Sequence, residues 1–292
     1  MIAQPTSKDE NTPTDSGKDR VHWIRPAGSW QFLDLRELWE YKELIYFLTW
    51  RDIKVRYKQT VIGVAWALLQ PLAMMVVFNL IFGRLAKIPS EGIPYPLFAY
   101  TGLLPWQVFS RTIPESAGSL VKDHRLISKV YFPRIIIPLS ATLAALLDFF
   151  IASGLLVVLM IFYGTNLSAA VFTLPFFVLL MLITALGIGF WLSATNVEYR
   201  DVMHLVPFLT QFLLFITPVV YPSAMVPDRL RIFYGLNPMV GVVEGFRWAL
   251  LGVGEGPSPM LGVSVAVALA LFISGMVWFR RRESHFADVL GT

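Results

Sequence analysis

The chain has no cysteine, so no disulfide, thiol nucleophile or cysteine-ligated metal belongs to its chemistry, and the count leaves the redox compartment open. It has no G-x-x-x-x-G-K-[ST] phosphate loop either. Its one Gly-Lys pair, Gly17 and Lys18, is followed by Asp19, which excludes ATP hydrolysis by that route. Its four histidines, His22, His124, His204 and His285, are scattered with no i, i+4 pair, and no metal site is expected. Nor do acids or histidines gather as an embedded glycosyltransferase or acyltransferase would require. Charge is the most telling shortage. From Ile135 to Val197 the one charged side chain is Asp148, and the polar break is the short patch Gly164, Thr165, Asn166.

About 20 apolar residues, rising 1.5 Å each, cross a hydrocarbon core of about 30 Å. The uncharged stretch therefore amounts to two lipid-spanning helices and a tight turn. A hydrophobic content of 55%, 15% charged residues and a mean hydropathy of +0.60 place the whole chain in the membrane class. The net charge of +4 and pI of about 9.3 do not point to nucleic acid, because the basic residues cluster beside apolar spans, where they set topology and meet anionic head groups.

The expected fold is all-α and integral to the membrane, with spans over Val61–Gly83, Ile93–Ile113, Ile135–Tyr163, Ala169–Thr195, Val202–Val220 and Pro259–Phe279. Pro94, Pro96, Pro105 and Pro114 crowd the second window, and His204, Pro207 and Pro218 interrupt the fifth. A kink or a partial re-entry is expected in each. Six crossings place both termini on one side. Lys42, Arg51, Lys54, Arg56, Lys58, Arg111, Lys122, Arg125, Lys129, Arg134, Arg200, Arg280, Arg281 and Arg282 flank one side of these spans, against Arg84, Lys87, Arg229, Arg231 and Arg247 on the other. The positive-inside bias makes the first side cytoplasmic. The domains read as a disordered cytoplasmic tail over 1–31, an amphipathic interface region over 32–60, the six-span domain over 61–279 and a cytoplasmic C-terminal segment over 280–292.

Two segments are amphipathic without being spans. Tyr46, Trp50, Ile53 and Tyr57 share a helical stripe beside the basic Arg51, Lys54 and Lys58. This suits a helix at the interface, with aromatic rings at head-group depth and basic tips reaching phosphates or a cytoplasmic partner. Leu120, Ile127, Val130 and Tyr131 share a face opposite Lys122, Arg125 and Lys129, either as a solvated loop helix or as a stiff lever that a soluble partner moves. Beyond the fifth span, the apolar run from Ile232 to Gly252 is broken by Pro238, Gly241, Glu244 and Arg247. The charge pair at i and i+3 argues against a full crossing, so short re-entrant or interfacial outer helices are expected. Asp148 is the lone intramembrane acid. It either couples protons or is satisfied by a neighbouring Ser, Thr or Asn in the bundle. Phe149, Phe208, Phe212, Phe215 and Tyr221 are candidates to line a conduit, because sugar C–H faces stack on aromatic rings and slide without tight hydrogen bonds.

Five blocks carry a resemblance: Leu48 to Thr60 (LTWRDIKVRYKQT), Gly63 to Pro71 (GVAWALLQP), Tyr100 to Trp106 (YTGLLPW), Leu126 to Arg134 (LISKVYFPR) and Asn196 to Asp201 (NVEYRD). In this order they resemble the transmembrane subunit of type-2 ABC exporters for cell-surface polysaccharides, most of all the Wzm permeases for O-antigen and the TagG permeases for teichoic acid. The resemblance covers roughly residues 40–285. It implies a homodimer of six-span subunits in the cytoplasmic membrane, paired with two copies of a separate ATPase that binds the ATP and Mg, and a polyprenyl-linked glycan as substrate. This chain itself would hold no cofactor. By the same likeness Trp50, Arg51, Asp52, Leu120, Lys122, Arg125 and Lys129 would dock the ATPase, and Arg51, Lys54, Arg56 and Lys58 would attract the substrate pyrophosphate. The broken run after Tyr221 would be the outer gate. O-antigen, teichoic acid and capsule stay open as the glycan, and a drug or small-lipid exporter stays open as the alternative.

Overall fold

The computed structural model describes residues 35–58, 63–254, 256–286 and 289; the expected tail over 1–31 lies outside them. The described residues form helices and loops with no strand. Two short N-terminal helices, α1 (Leu35–Glu40) and α2 (Lys42–Lys58), lead through a 3₁₀ turn at Gly63–Ala65 into α3 (Trp66–Phe78), which continues as π-helix through Asn79–Leu85. Then come α4 (Tyr95–Lys122), α5 (His124–Lys129), α6 (Ile136–Phe162), α7 (Leu174–Glu198), α8 (Val202–Ile216), α9 (Asp228–Tyr234), α10 (Pro238–Leu251) and α11 (Pro259–Glu283).

Among the described residues, four helical segments are long and apolar enough to cross a bilayer: Trp66–Leu85, Ile136–Phe162, Ala169–Glu198 and Pro259–Glu283. The other two expected windows differ from the reading above. From Tyr95 on, the second lies within α4, a 28-residue helix that runs unbroken through Pro105 and Pro114. It has the length to cross but carries Arg111, Glu115 and Lys122 on its C-terminal half. The fifth shortens to the 15 residues of α8, about 22 Å at 1.5 Å per residue, because the backbone turns extended at Thr217 ahead of Pro218. A residue before proline is driven out of the helical region.

The predicted turn at Gly164 is present. α6 ends there because Gly164 takes φ +63, a left-handed conformation that glycine enters at little cost, and the Thr165 amide donates back to the Met160 carbonyl at 3.0 Å. The apolar run after Tyr221 is two helices, α9 and α10, rather than one. Asn237 caps α10 by accepting from the Met239 amide at 3.1 Å, Pro238 follows at the first turn, and Gly252 closes the helix at φ +70. Cap and stop residues thus limit α10 to 14 residues, too short to cross.

Helix α7 lies at the centre, packing on α11, α4 and α10. Its approach to α11 depends on small residues, since lipid supplies no hydrophobic drive between helices and close backbone packing must replace it. A Cβ on Gly187 would lie 2.7 Å from the Phe272 amide nitrogen, and one on Gly275 would strike the Gly187 carbonyl. Two apolar clusters result. The larger joins α3, α4, α6, α7 and α10. The smaller gathers Leu48 of α2, Leu120 of α4, Ile127 of α5, Ile135–Ile137, Val197 of α7 and Phe279 of α11. It marks the end of the bundle that carries the excess of basic residues.

Candidate functional site

The sequence pairs Tyr46 with Trp50 on one stripe of α2, but the structure turns both outward and packs the helix through the neighbouring stripe. Leu48 is buried, Tyr41, Leu44 and Ile45 are half-buried against the same cluster, and Tyr46, Phe47 and Trp50 are exposed. Helix α2 does not lie apart from the bundle. It packs along α6, sharing the cluster of Ile135–Ile137 at Leu48 and reaching Asp148 at Tyr57.

At the Leu48 end, Arg51 Nη2 donates to Asp123 Oδ2 at 2.6 Å and to Asp52 Oδ1 at 2.9 Å, and Lys122 Nζ lies 3.6 Å from Asp52 Oδ1. Asp123 sits where α4 stops and α5 begins, so this cluster fixes α2 to the α4–α5 corner. Burial pulls the Arg51 guanidinium down, but its hydrogen bonds to Asp123 and Asp52 outweigh that and hold it above the ordinary arginine value. Of the residues expected to dock a partner, Trp50, Lys122, Arg125 and Lys129 are exposed, Arg51 and Asp52 are partly covered by their mutual pairing, and Leu120 is fully buried. Val130 and Tyr131 do not join the buried face of Leu120 and Ile127; they are exposed, because α5 ends at Lys129 and the chain extends at Val130.

At the Tyr57 end a second charged cluster surrounds Asp148. Arg56 Nη1 donates to Asp148 Oδ2 at 2.5 Å and Arg111 Nη1 donates to the same oxygen at 2.6 Å. Tyr57 donates to the other oxygen, Arg56 also pairs with Glu115, and Arg111 Nη2 reaches Gln70 Oε1 at 2.8 Å. The expected Ser, Thr or Asn neighbour is therefore replaced by two guanidiniums and a phenol. Burial, then the hydrogen bond to Asp148, pushes the Tyr57 phenol up to about 12. Burial lowers Arg56, but the charges of Glu115 and Asp148 outweigh it and raise the guanidinium above its usual value. A narrow crevice between α3, α4 and α6, lined by Pro71, Gln107, Arg111 and Asp148, opens onto the cluster. Sequence reasoning missed this convergence. The available signals were the unpaired acid on α6 and the i, i+4 spacing of Arg111 and Glu115 on α4. Of the four basic residues expected to meet a pyrophosphate, Arg51 and Arg56 are engaged by carboxylates, while Lys54 and Lys58 are exposed.

The aromatic candidates divide. Phe208, Phe212 and Phe215 of α8 are exposed on one face, with Phe208 and Phe212 stacked at 6.3 Å between centroids. Phe149 is buried against Phe246 at 6.0 Å, and Tyr221 is half-buried, its hydroxyl 2.6 Å from that of Tyr234. On α10, Glu244 and Arg247 are both buried and paired at 3.1 Å. Arg247 Nη2 donates to the Val219 carbonyl at 2.7 Å, which ties α10 to the loop after α8.

Four helices long and apolar enough to cross a bilayer, with basic residues gathered at one end of the bundle, place the chain in the class of helical membrane proteins. The chain belongs to the ABC-2 type transporter family, whose pattern matches residues 43–251. It is 31% identical to the O-antigen export system permease protein RfbA of Myxococcus xanthus, over 87% of this chain and 98% of that protein. It is 27% identical to the protein of the same name from Klebsiella pneumoniae, over 85% and 95%. It is 28% identical to the polysialic acid transport protein KpsM of Escherichia coli, over 80% and 91%.

Proposed function

We propose that this chain is the permease subunit of an ABC exporter that carries a lipid-linked, O-antigen-like polysaccharide across the cytoplasmic membrane. The carrying observation is the near end-to-end likeness to the O-antigen export permease of Myxococcus xanthus. In this reading two copies of the chain pair with two copies of a separate ATPase, which supplies ATP and Mg, and both termini are cytoplasmic. Helix α4, and α8 together with the chain that continues it to Val220, complete six crossings with the four apolar segments, and α9 and α10 re-enter from the outer side as a gate. The exposed Trp50, Arg125 and Lys129 face the ATPase, Lys54 and Lys58 attract the substrate's phosphates, and the Phe208, Phe212, Phe215 face borders the glycan path.

Co-purification with an ATPase subunit, and loss of that ATPase's stimulation on replacing Trp50 and Arg51, test the assembly. Full transport without nucleotide would end the reading. Deletion of the gene should remove a surface glycan; unaltered surface glycan would favour a drug or small-lipid exporter instead. A capsular glycan is the second reading, favoured by the likeness to the polysialic acid transport protein, and the sugar composition of the missing glycan separates the two.

A further inference from the structure

The attachment of α2 is unusual in its economy. Leu48 is the one buried side chain among the described residues of this 17-residue helix, so apolar packing holds it near one point. Its other end is held by charge. Asp148 lies 12 residues into α6 from Ile136, about 18 Å from the basic end of that helix at 1.5 Å per residue. There Arg56 of α2, Arg111 and Glu115 of α4 and Asp148 of α6 form a neutral group of two cations and two anions, with Tyr57 adding a third bond to Asp148.

The two grips of α2 hold different parts of the bundle. At the outer one Arg51 bonds Asp123 at 2.6 Å with side chains 28% and 12% exposed, the more exposed Lys122 adds a 3.6 Å contact to Asp52, and the attachment is to the α4–α5 corner. The inner group has side chains 10% to 34% exposed beside apolar spans, where an unpaired charge has no ready replacement partner. Among the described residues, the inner group is the charged link from α2 to α6 and to the middle of α4.

We infer that Arg56 and Asp148, with Arg111 and Glu115, form a tether through which displacement of α2 by a cytoplasmic partner is delivered to α4 and α6 as one body. They are positioning residues: they act on the path through the helices they join. This rests on the reading of the chain as an ATPase-driven permease. Without the tether, α2 would keep its grip on the α4–α5 corner through Arg51 and Asp123 and still meet its partner, but less of its displacement would reach α6 and the middle of α4, and nucleotide would be consumed with little movement of the spans.

The test uses the full permease–ATPase complex in proteoliposomes, with Arg56→Gln, Asp148→Asn, their double variant and Tyr57→Phe, each normalised to protein in the membrane. Three quantities are read: ATPase co-purification, ATP hydrolysis, and lipid-linked glycan exported per ATP. The expected result is a fall of about tenfold in export per ATP for Arg56→Gln and Asp148→Asn, with the other two readouts within about twofold, and a double variant no worse than the worse single, as for residues acting as one unit. Asp148→Glu should restore part of the coupling. Unchanged export per ATP in every variant, or losses that multiply in the double, would overturn the tether. If Asp148→Asn fails to accumulate, Arg56→Gln and Tyr57→Phe decide, since both leave Asp148 paired with Arg111. A wild-type chain that binds no ATPase would instead defeat the underlying reading.

Discussion

The guanidinium of Arg247 lies over the ring of Phe98, its central carbon 3.7 Å from the ring centroid. Both residues are fully buried, so α10 is locked onto the N-terminal half of α4 by a cation on an aromatic face. Such contacts gain strength when desolvated, and here the same guanidinium also serves Glu244 and the Val219 carbonyl.

Replacing Arg247 by Met keeps most of the bulk but leaves Glu244 buried without its cation. The expected cost is about 3–5 kcal/mol, as for other buried pairs broken on one side. Thermal unfolding of the detergent-solubilised protein checks it. The double variant with Glu244→Gln should recover part of the loss, because it removes the stranded charge.

At the α7–α11 crossing, Gly187→Val drives a branched side chain into the backbone of Phe272 and should destabilise by about 1–3 kcal/mol, in the range of overpacked cores. A Cβ added at Gly154 on α6 would meet no atom within 4 Å. Gly154→Ala should be neutral or stabilise by up to about 1 kcal/mol through helix propensity alone. Equal unfolding midpoints for the two variants would contradict the close crossing.

The basic end of the bundle separates packing from recognition. Leu120→Ala should lower stability by about 2–5 kcal/mol, as for a buried leucine, whereas Arg125→Ala and Lys129→Ala should leave the unfolding midpoint unmoved and weaken ATPase capture. Paired measurements of melting and pull-down yield distinguish them.

Among the aromatics the same contrast holds. Phe149→Ala, in the core against Phe246, should cost about 3–5 kcal/mol. Phe208→Ser and Phe212→Ser, on the exposed face of α8, should unfold like the parent yet slow glycan export. A transport assay at matched protein levels reads this difference.

Much of the bundle was legible from charge alone. The apolar windows of α3, α6, α7 and α11 stand out because lipid cannot satisfy a charged side chain, and the turn at Gly164 and the short α10 follow from stop and cap residues. Helix α4 was harder to read, since its prolines suggest a break, yet the chain stays helical past Pro105 and Pro114 with neighbouring helices packed around it. Which stripe of α2 is buried was not legible: Leu44–Leu48 and Tyr46–Trp50 are both apolar at helical spacing, and the choice depends on what lies opposite.

The sequence by itself determined that this is a membrane-embedded helical protein with no phosphate loop and a basic end, because transfer of apolar length and charge between water and lipid is a property of local composition. Tertiary structure alone decided that Asp148 meets Arg56 and Arg111, that Arg247 rests on Phe98, and that Phe149 turns inward while Phe212 turns outward. Those partners lie far apart along the chain, and only the packing of whole helices brings their charges and rings within contact distance.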